Sequence, residues 1–217
     1  MKTPVTATQV ARFCDLLTNG KNIADFEGSR NGLQHKGTRP VRKVGAAVDA
    51  GAAVFTEAAR RGVDFLIVHH GMYWRPVSPE REVRALRKAA LKKTGLSLYS
   101  SHLPLDAHPA IGNNALIAQD LGLKVVDWFV DYEGLPIACI CRGISRRTLR
   151  KRLKASYPQT YKGIEFGSAQ PKKIAILIID GSLEEPLKTL TEAQRARIHG
   201  IDVMRSIFKD GLDLIIA

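Results

Sequence analysis

The chain has 217 residues, of which 45% are hydrophobic and 25% are charged, as in ordinary globular proteins. No apolar run approaches the roughly 20 residues that a membrane-spanning helix needs, and the first residues lack the apolar stretch of a secretory signal. An odd, sparse count of three cysteines argues against a disulfide framework, so we expect a cytoplasmic protein. The net charge of +12 favours anionic partners, either phosphorylated small molecules or nucleic acid.

Helix-like and strand-like periodicities alternate along the first part of the chain. An apolar stripe of Val10, Phe13, Cys14 and Leu17 predicts a first helix that ends at Asn19-Gly20. The next helices are bounded by typical signals, such as serine followed by proline at the start and glycine at the end. The predicted strands are 41–50, 63–68 and 96–102, and the predicted helices are 52–62, 78–95 and 113–122.

The second part of the chain repeats this pattern. Segments 124–131 and 135–142 predict two strands joined at Glu133-Gly134. The stretch from residue 171 to the end resembles the stretch 41–70. Each contains a strand that ends at an aspartate, Asp49 or Asp180, and later a Gly-X-Asp sequence followed by an apolar strand. We therefore predict an α/β fold of two related halves, 1–130 and 131–217, with mixed, largely parallel sheets.

A basic segment at 142–154 contains seven lysines and arginines and no acidic residue. It can meet the phosphates of nucleotides or of nucleic acid. It can equally be a solvated helix face whose buried side is Leu149 and Leu153, and we favour this interpretation because no aromatic side chains are interleaved for stacking on bases. Cys139 and Cys141 lie on one face of a predicted strand, and we expect ordinary buried thiols.

Two adjacent histidines, His69 and His70, follow the apolar strand 63–68, and His102 ends the strand 96–102, four residues before Asp106. Ligands of open α/β sheets gather at the carboxyl ends of strands, and imidazole and carboxylate groups suit zinc, iron or manganese. Adjacent side chains leaving a strand diverge, so we expect His69 and His70 to serve two ions, bridged by a carboxylate such as Asp106. The alternative is a set of structural histidines, which is the role we expect for His35, His108 and His199.

Five blocks of the sequence occur in this order: "SRNGLQHKG" (29–37), "VGAAVDA" (44–50), "GVDFLIVHHGMYW" (62–74), "YSSHLPLDAHPAIGNNALIAQDLGL" (99–123) and, more weakly matched, "PKKIAIL" (171–177). They resemble one known family, the Ngg-one-interacting factor three group, also called GTP cyclohydrolase I type 2 homologues. This resemblance implies two α/β halves, a dinuclear metal site and a homohexamer built as two stacked trimers. It also implies His69, His70 and Asp106 as metal ligands, with His102 at the edge of the site, where it supports a ligand or occasionally binds metal itself. If the protein is an enzyme, we expect His102 to be catalytic, as a proton relay or by orienting a ligand.

The family completes its site with a C-terminal Gly-His-x-x-x-Glu motif that has no match here. The sequence therefore predicts either a truncated product or a site completed by other groups, such as His199, Asp202, water or a neighbouring subunit.

Three hypotheses about function stay open. The first is a metal-dependent hydrolase with two divalent transition-metal ions, fully or partly occupied, acting on a nucleotide or another phosphorylated small molecule. The second is a non-catalytic ring that binds metal or nucleic acid. The third is a degenerate member of the family with an incomplete metal site.

Overall fold

The computed structural model describes residues 5–73, 80–132, 135–159, 161, 163, 168–177 and 212–216. The chain groups into two compact units, Met1–Leu105 and Asp106–Ala217, and a four-stranded sheet lies in each. The predicted boundary between residues 130 and 131 stays a prediction. Several predicted features lie outside the described residues, namely the helix start at Ser78-Pro79, the turn at Glu133-Gly134, Asp180, His199, Asp202 and Gly211.

The sheet of the first unit has the strand order β1-β4-β3-β2. Strand β3 is parallel to both of its neighbours, whereas β1 runs antiparallel to β4. Parallel pairing places the carboxyl ends of β2, β3 and β4 at one edge. The elements are α1 (Ala7–Thr18), β1 (Gly32–His35), β2 (Val44–Asp49), α2 (Ala52–Arg60), β3 (Phe65–His70), α3 (Glu80–Thr94), β4 (Ser97–Ser100) and the short α4 (Leu103–Asp106).

Strand β3 is the centre of the first core. Phe65, Leu66 and Val68 are each at most 2% exposed, which explains why this strand reads as a continuous apolar run rather than an alternating one. Phe55 of α2 and Leu98 of β4 are fully buried in the same unit. The rigid, packed strand therefore carries its last residues to a defined position.

Helix α1 ends where the sequence predicts, but its buried face matches only part of the predicted stripe. Thr6 and Gln9 form a capping box, and Asn19 closes the helix in the left-handed conformation with φ of 53°. Phe13 and Leu17 are 65% and 45% exposed. Val10 and Cys14 of the predicted stripe pack partly buried against the core, and the buried positions of the helix are small side chains: Ala7, Ala11 and Thr18.

The second unit has the strand order β5-β6-β7-β8, with β7 and β8 parallel and the other pairs antiparallel. The β2–β3 and β7–β8 pairs are thus both parallel, as the resemblance between the two stretches predicts. The α/β class with mixed, largely parallel sheets is confirmed, with the parallel pairing concentrated in the first sheet. The elements are α5 (Asn113–Asp120), β5 (Val125–Tyr132), β6 (Leu135–Arg142), α6 (Arg146–Ser156), β7 (Lys173–Leu177) and β8 (Leu212–Ile216).

Most of the basic segment lies in α6, with Leu149 buried and Leu153 packed partly buried against the second core, as predicted. Arg152 donates hydrogen bonds through Nη1 to the carbonyl oxygens of Leu121 and Gly122 at 2.6 and 3.0 Å, so it caps the end of α5. The two cysteines of β6 are fully buried in this core, which confirms that prediction. No helix in the described part of the chain combines the length and apolar character needed to traverse a bilayer.

Candidate metal centre

The candidate site lies where β3 and β4 end. His69 and His70 are the last two residues of β3, and His102 follows β4 by two residues. Val68 pairs with Ser100 in the parallel ladder, and the N–H of Ser101 donates to the carbonyl oxygen of Val68 at 3.0 Å. The ladder thus runs almost to the histidines, so main-chain pairing sets their relative positions.

The three histidines converge on one another. One ring nitrogen from each lies within 4.8 Å of those of the other two. The ring centroids of His69 and His70 are 4.7 Å apart, and those of His69 and His102 are 4.8 Å apart. The adjacent side chains therefore do not diverge as expected, because hydrogen bonds to other parts of the fold hold both rings near His102. That they serve two ions stays a prediction.

Each ring is held through its Nδ1 atom. His69 Nδ1 lies 3.1 Å from the carbonyl oxygen of Ser101, His70 Nδ1 lies 2.8 Å from Asp49 Oδ1, and His102 Nδ1 lies 2.8 Å from Asp25 Oδ1. A carbonyl or carboxylate oxygen only accepts, so Nδ1 carries the proton in all three rings. In the neutral imidazole the lone pair then lies on Nε2, which is the arrangement of metal-ligating histidines.

The Asp25 carboxylate is the more buried of the two carboxylate acceptors. Its side chain and that of His102 are only 5% and 4% exposed. Oδ2 of Asp25 also accepts from Asn31 Nδ2 at 2.7 Å and from the N–H of Leu103 at 3.2 Å. Burial acts to raise the pKa of Asp25, but hydrogen bonds from His102, Asn31 and the N–H of Phe26 together hold it below its ordinary value.

Asn31 links this carboxylate to the main chain of the site. Its Oδ1 accepts a hydrogen bond from the N–H of His102 at 2.8 Å, while its Nδ2 donates to Asp25. Asn31 and Asp25 belong to the loop between α1 and β1, and nothing in the local sequence pattern identified them. The one sequence signal near the pair is that Asn31 lies in the block 29–37, which carries the family resemblance.

Asp49 supports the second histidine from the neighbouring strand. It pairs with His70 in the parallel register of β2 and β3, so its position follows from the strand pairing. Unlike Asp25, its side chain is 71% exposed. The sequence marks Asp49 as the end of a strand but not as a partner of His70.

Asp106 is the last residue of α4 and is 8% exposed. Its Oδ1 accepts from Asn113 Nδ2 at 2.7 Å. The structure brings His69, His70 and His102 into one group, and Asp106 is not a member of that group. Its role as a ligand, and the catalytic role of His102, stay predictions.

The two remaining described histidines have different environments. His108 Nδ1 accepts from the N–H groups of Ala110 and Ile111 at 3.2 Å each, which ties together a turn. His35 lies on β1, and burial, followed by the charge of Lys92, lowers its pKa. These environments agree with the structural roles expected for both.

The donor set fits a divalent transition-metal ion. Three imidazoles with Nδ1 protonated offer three nitrogen donors of the kind that zinc, iron and manganese accept. Each ligand is also oriented by an oxygen acceptor, as metal-binding histidines commonly are. The fold and site therefore define an α/β protein with a group of three histidines, able to hold a metal ion, at the carboxyl edge of a parallel strand pair.

A sequence model of the family Duf34/NIF3 (NGG1p interacting factor 3) matches residues 6–206. The chain belongs to this family, as the sequence blocks predicted. A GTP cyclohydrolase 1 type 2 homolog of Pyrococcus horikoshii is 36% identical over 164 residues, which are 72% of this chain and 64% of that protein. A homolog of the same name from Escherichia coli strain K12 is 40% identical over 120 residues, or 55% of this chain and 48% of that protein.

Solved structures agree with this assignment. TTHA1606 from Thermus thermophilus is 30% identical with a TM-score of 0.72, and the match covers 98% of this chain and 86% of that chain. The protein ybgI, described as of unknown function, is 26% identical with a TM-score of 0.75, and the match covers 97% and 85% of the two chains. The chain covers less than two thirds of the length of the two relatives named GTP cyclohydrolase 1 type 2 homolog.

Proposed function

We propose that this protein is a metal-dependent hydrolase that acts on a nucleotide or another phosphorylated small molecule. The observation that carries the proposal is the set of three converging histidines, each with its Nδ1 proton donated to an oxygen acceptor. A divalent ion bound there supplies Lewis-acid chemistry for hydrolysis. The names of the relatives, GTP cyclohydrolase 1 type 2 homolog, support a nucleotide as the substrate class.

The residues of the chain have distinct tasks in this proposal. His69, His70 and His102 hold metal through Nε2, while Asp25 and Asp49 keep the His102 and His70 rings in the ligating tautomer. Asp106 is the carboxylate proposed for a second ion, since it follows His102 by four residues. The alternative role proposed for His102 is to move a proton at the edge of the site, since its Nε2 cannot bind metal and carry a proton at the same time.

The first test is elemental analysis of purified protein. Wild type is expected to hold one to two transition-metal ions per chain, and the double variant His69→Ala, His70→Ala is expected to lose them. The variant His35→Ala is the matched control, because it removes a histidine of β1 outside the three-histidine group. Little metal in wild type, or equal metal in the double variant, would contradict the proposal.

Hydrolysis is tested in a separate assay, in which the protein is incubated with GTP. Chromatography follows the loss of GTP and the release of inorganic products. Turnover that requires added zinc, iron or manganese and that Asp106→Asn removes supports a catalytic dinuclear site. Metal binding without any turnover would instead support a metal-holding, non-catalytic protein.

A second candidate function is binding of a polyanion such as nucleic acid. Helix α6 and the last residue of β6 present exposed cations without an acidic residue among them: Arg142, Arg147, Arg150, Lys151 and Lys154. Binding to DNA that weakens steeply with salt and is reduced by changing Arg147 and Lys151 to Gln would support it. The proposed homohexamer is measured in the same samples by light scattering, since a ring would place several copies of α6 together.

A further inference from the structure

Three cations surround the ring of Tyr73, the third residue after His70. The guanidinium carbons of Arg30 and Arg84 lie 5.0 and 5.3 Å from the ring centroid. The Nζ atom of Lys88 lies 5.5 Å from the same centroid. We call these four residues the Tyr73 cluster.

The cluster is assembled from separate elements. Arg84 and Lys88 are four residues apart on α3, so they share one face of the helix. Arg30 comes from the loop before β1 and Tyr73 from the segment after β3. The three cations therefore come from two separate segments of the chain. Their approach to one ring does not follow from a run of charged residues in the sequence.

Gln34 fixes the loop that carries Arg30 to the chain that carries Tyr73. Its Nε2 donates to the carbonyl oxygen of Arg30 at 2.6 Å, and its Oε1 accepts from the N–H of Met72 at 2.7 Å. Gly71 makes room for this amide, because a Cβ there would collide with it. The positions of Arg30 and Tyr73 are therefore set by hydrogen bonds to the main chain.

The charges of the cluster favour an anionic ligand. Cation–π contacts with one ring offset only part of the repulsion among three like charges. Within the part of the chain that the structure describes, neither Arg30 nor Lys88 forms a salt bridge with a carboxylate. Guanidinium groups and an ammonium group together are the usual means of binding a phosphate.

We infer that the Tyr73 cluster is a phosphate-binding subsite beside the candidate metal centre, and that it takes the phosphate groups of a small phosphorylated ligand. Three residues of extended chain span at most about 11 Å, so the Cα atoms of Tyr73 and His70 are no farther apart than that. This inference rests on the proposed function, for which it identifies the residues that recognise the phosphate.

The test uses inorganic pyrophosphate as the probe and isothermal titration calorimetry as the measurement. Metal-free protein is used, so that an ion at the histidines does not contribute to binding. We expect the double variant Arg84→Gln, Lys88→Gln to weaken pyrophosphate binding by about tenfold or more. Lys93→Gln is the matched control, since it removes one exposed positive charge from the same helix away from Tyr73, and it is expected to bind as wild type does.

Changes at Tyr73 separate the role of the ring from general charge. Tyr73→Phe keeps an aromatic face and is expected to retain pyrophosphate binding, whereas Tyr73→Leu is expected to weaken it. Thermal unfolding of each variant verifies that the fold is intact. Equal weakening by Lys93→Gln, or no binding to wild type, would overturn the inference.

The same titrations distinguish this inference from the proposed hydrolase. Loss of pyrophosphate binding in the double variant supports the subsite even if wild type holds no metal. In that case only the proposed metal-dependent hydrolysis is contradicted. Unchanged metal content in the double variant is expected, because the cluster contains none of the three histidines. Binding of a DNA oligonucleotide through these residues, without binding of pyrophosphate, would overturn the assignment to a small ligand.

Discussion

The buried carboxylate of Asp25 accepts a hydrogen bond from Nδ1 of His102 at 2.8 Å, although the two residues are 77 positions apart. Asp25 is itself held by donors from three other residues: Asn31, Phe26 and Leu103. An acceptor fixed in this way determines both the tautomer of the imidazole and the direction of its Nε2 lone pair. This contact therefore connects the loop before β1 to the metal-binding capacity of the site.

Replacing Asp25 with Asn is expected to weaken metal binding by about 10- to 100-fold, the range typical for loss of an oxygen acceptor behind a ligating histidine. The amide presents a donor as well as an acceptor, so the ring is no longer held in one tautomer. Competition with a chromogenic chelator measures the change in affinity. Asp127→Asn is the control, since this aspartate lies exposed on β5. Equal affinity in the Asp25 and Asp127 variants would contradict the positioning role.

The corresponding change at Asp49 is expected to have a smaller effect on metal affinity. Asp49 makes a contact of the same length with His70, but its side chain is 71% exposed, so water can replace the lost oxygen. We expect a loss of a few-fold, measured by the same chelator competition at two salt concentrations. If the Asp49 variant loses as much metal affinity as the Asp25 variant, burial of the carboxylate does not determine how strongly it affects metal binding.

Gly71 and Gln34 are expected to be strongly coupled in their effect on stability. An alanine at position 71 would displace the Gln34 amide and break its hydrogen bonds to Arg30 and Met72. Either Gly71→Ala or Gln34→Ala is therefore expected to lower the free energy of unfolding by about 1 to 3 kcal/mol. In the double variant the second substitution is expected to lower the free energy of unfolding only slightly further. Urea unfolding of wild type, both single variants and the double variant measures this difference. Simple addition of the two effects would rule out this coupling.

Tyr99 is expected to make stability depend on pH in the alkaline range. Burial, together with the hydrogen bond to Asp15 at 2.9 Å and the negative charge of Asp15, raises the pKa of Tyr99 above its ordinary value. Above the ordinary tyrosine pKa of about 10, the unfolded chain loses the phenolic proton while the folded protein retains it. The contribution of Tyr99 to the free energy of unfolding is therefore complete below about pH 10 and is lost as pH rises further.

Tyr99→Phe tests this dependence, because phenylalanine has no proton to lose. At about pH 7 the variant is expected to be less stable by about 1 to 2 kcal/mol, since the hydrogen bond to Asp15 is gone. The difference from wild type is expected to shrink between about pH 10 and pH 11. Chemical unfolding at several pH values measures both, and a constant difference across that range would contradict the assignment.

The sequence by itself determined the α/β class, the order of the elements apart from β1 and α4, and the two blocks that carry the histidines. These features are local: an apolar run such as 65–68 specifies a buried strand, and the spacing from His102 to Asp106 is visible in the chain itself. Because parallel strands end at one edge, their final residues were also predicted to meet.

Tertiary structure alone decided how the site is oriented and supported. The convergence of His69 and His70, against the expected divergence, depends on acceptors from Ser101 and Asp49, which pairing with other strands brings near. Asp25 and the cations around Tyr73 likewise come from segments far apart in sequence. Hydrogen bonds and charge contacts of this kind act over a few ångströms in space, and no period or spacing along the chain records which distant residues folding will bring within that range.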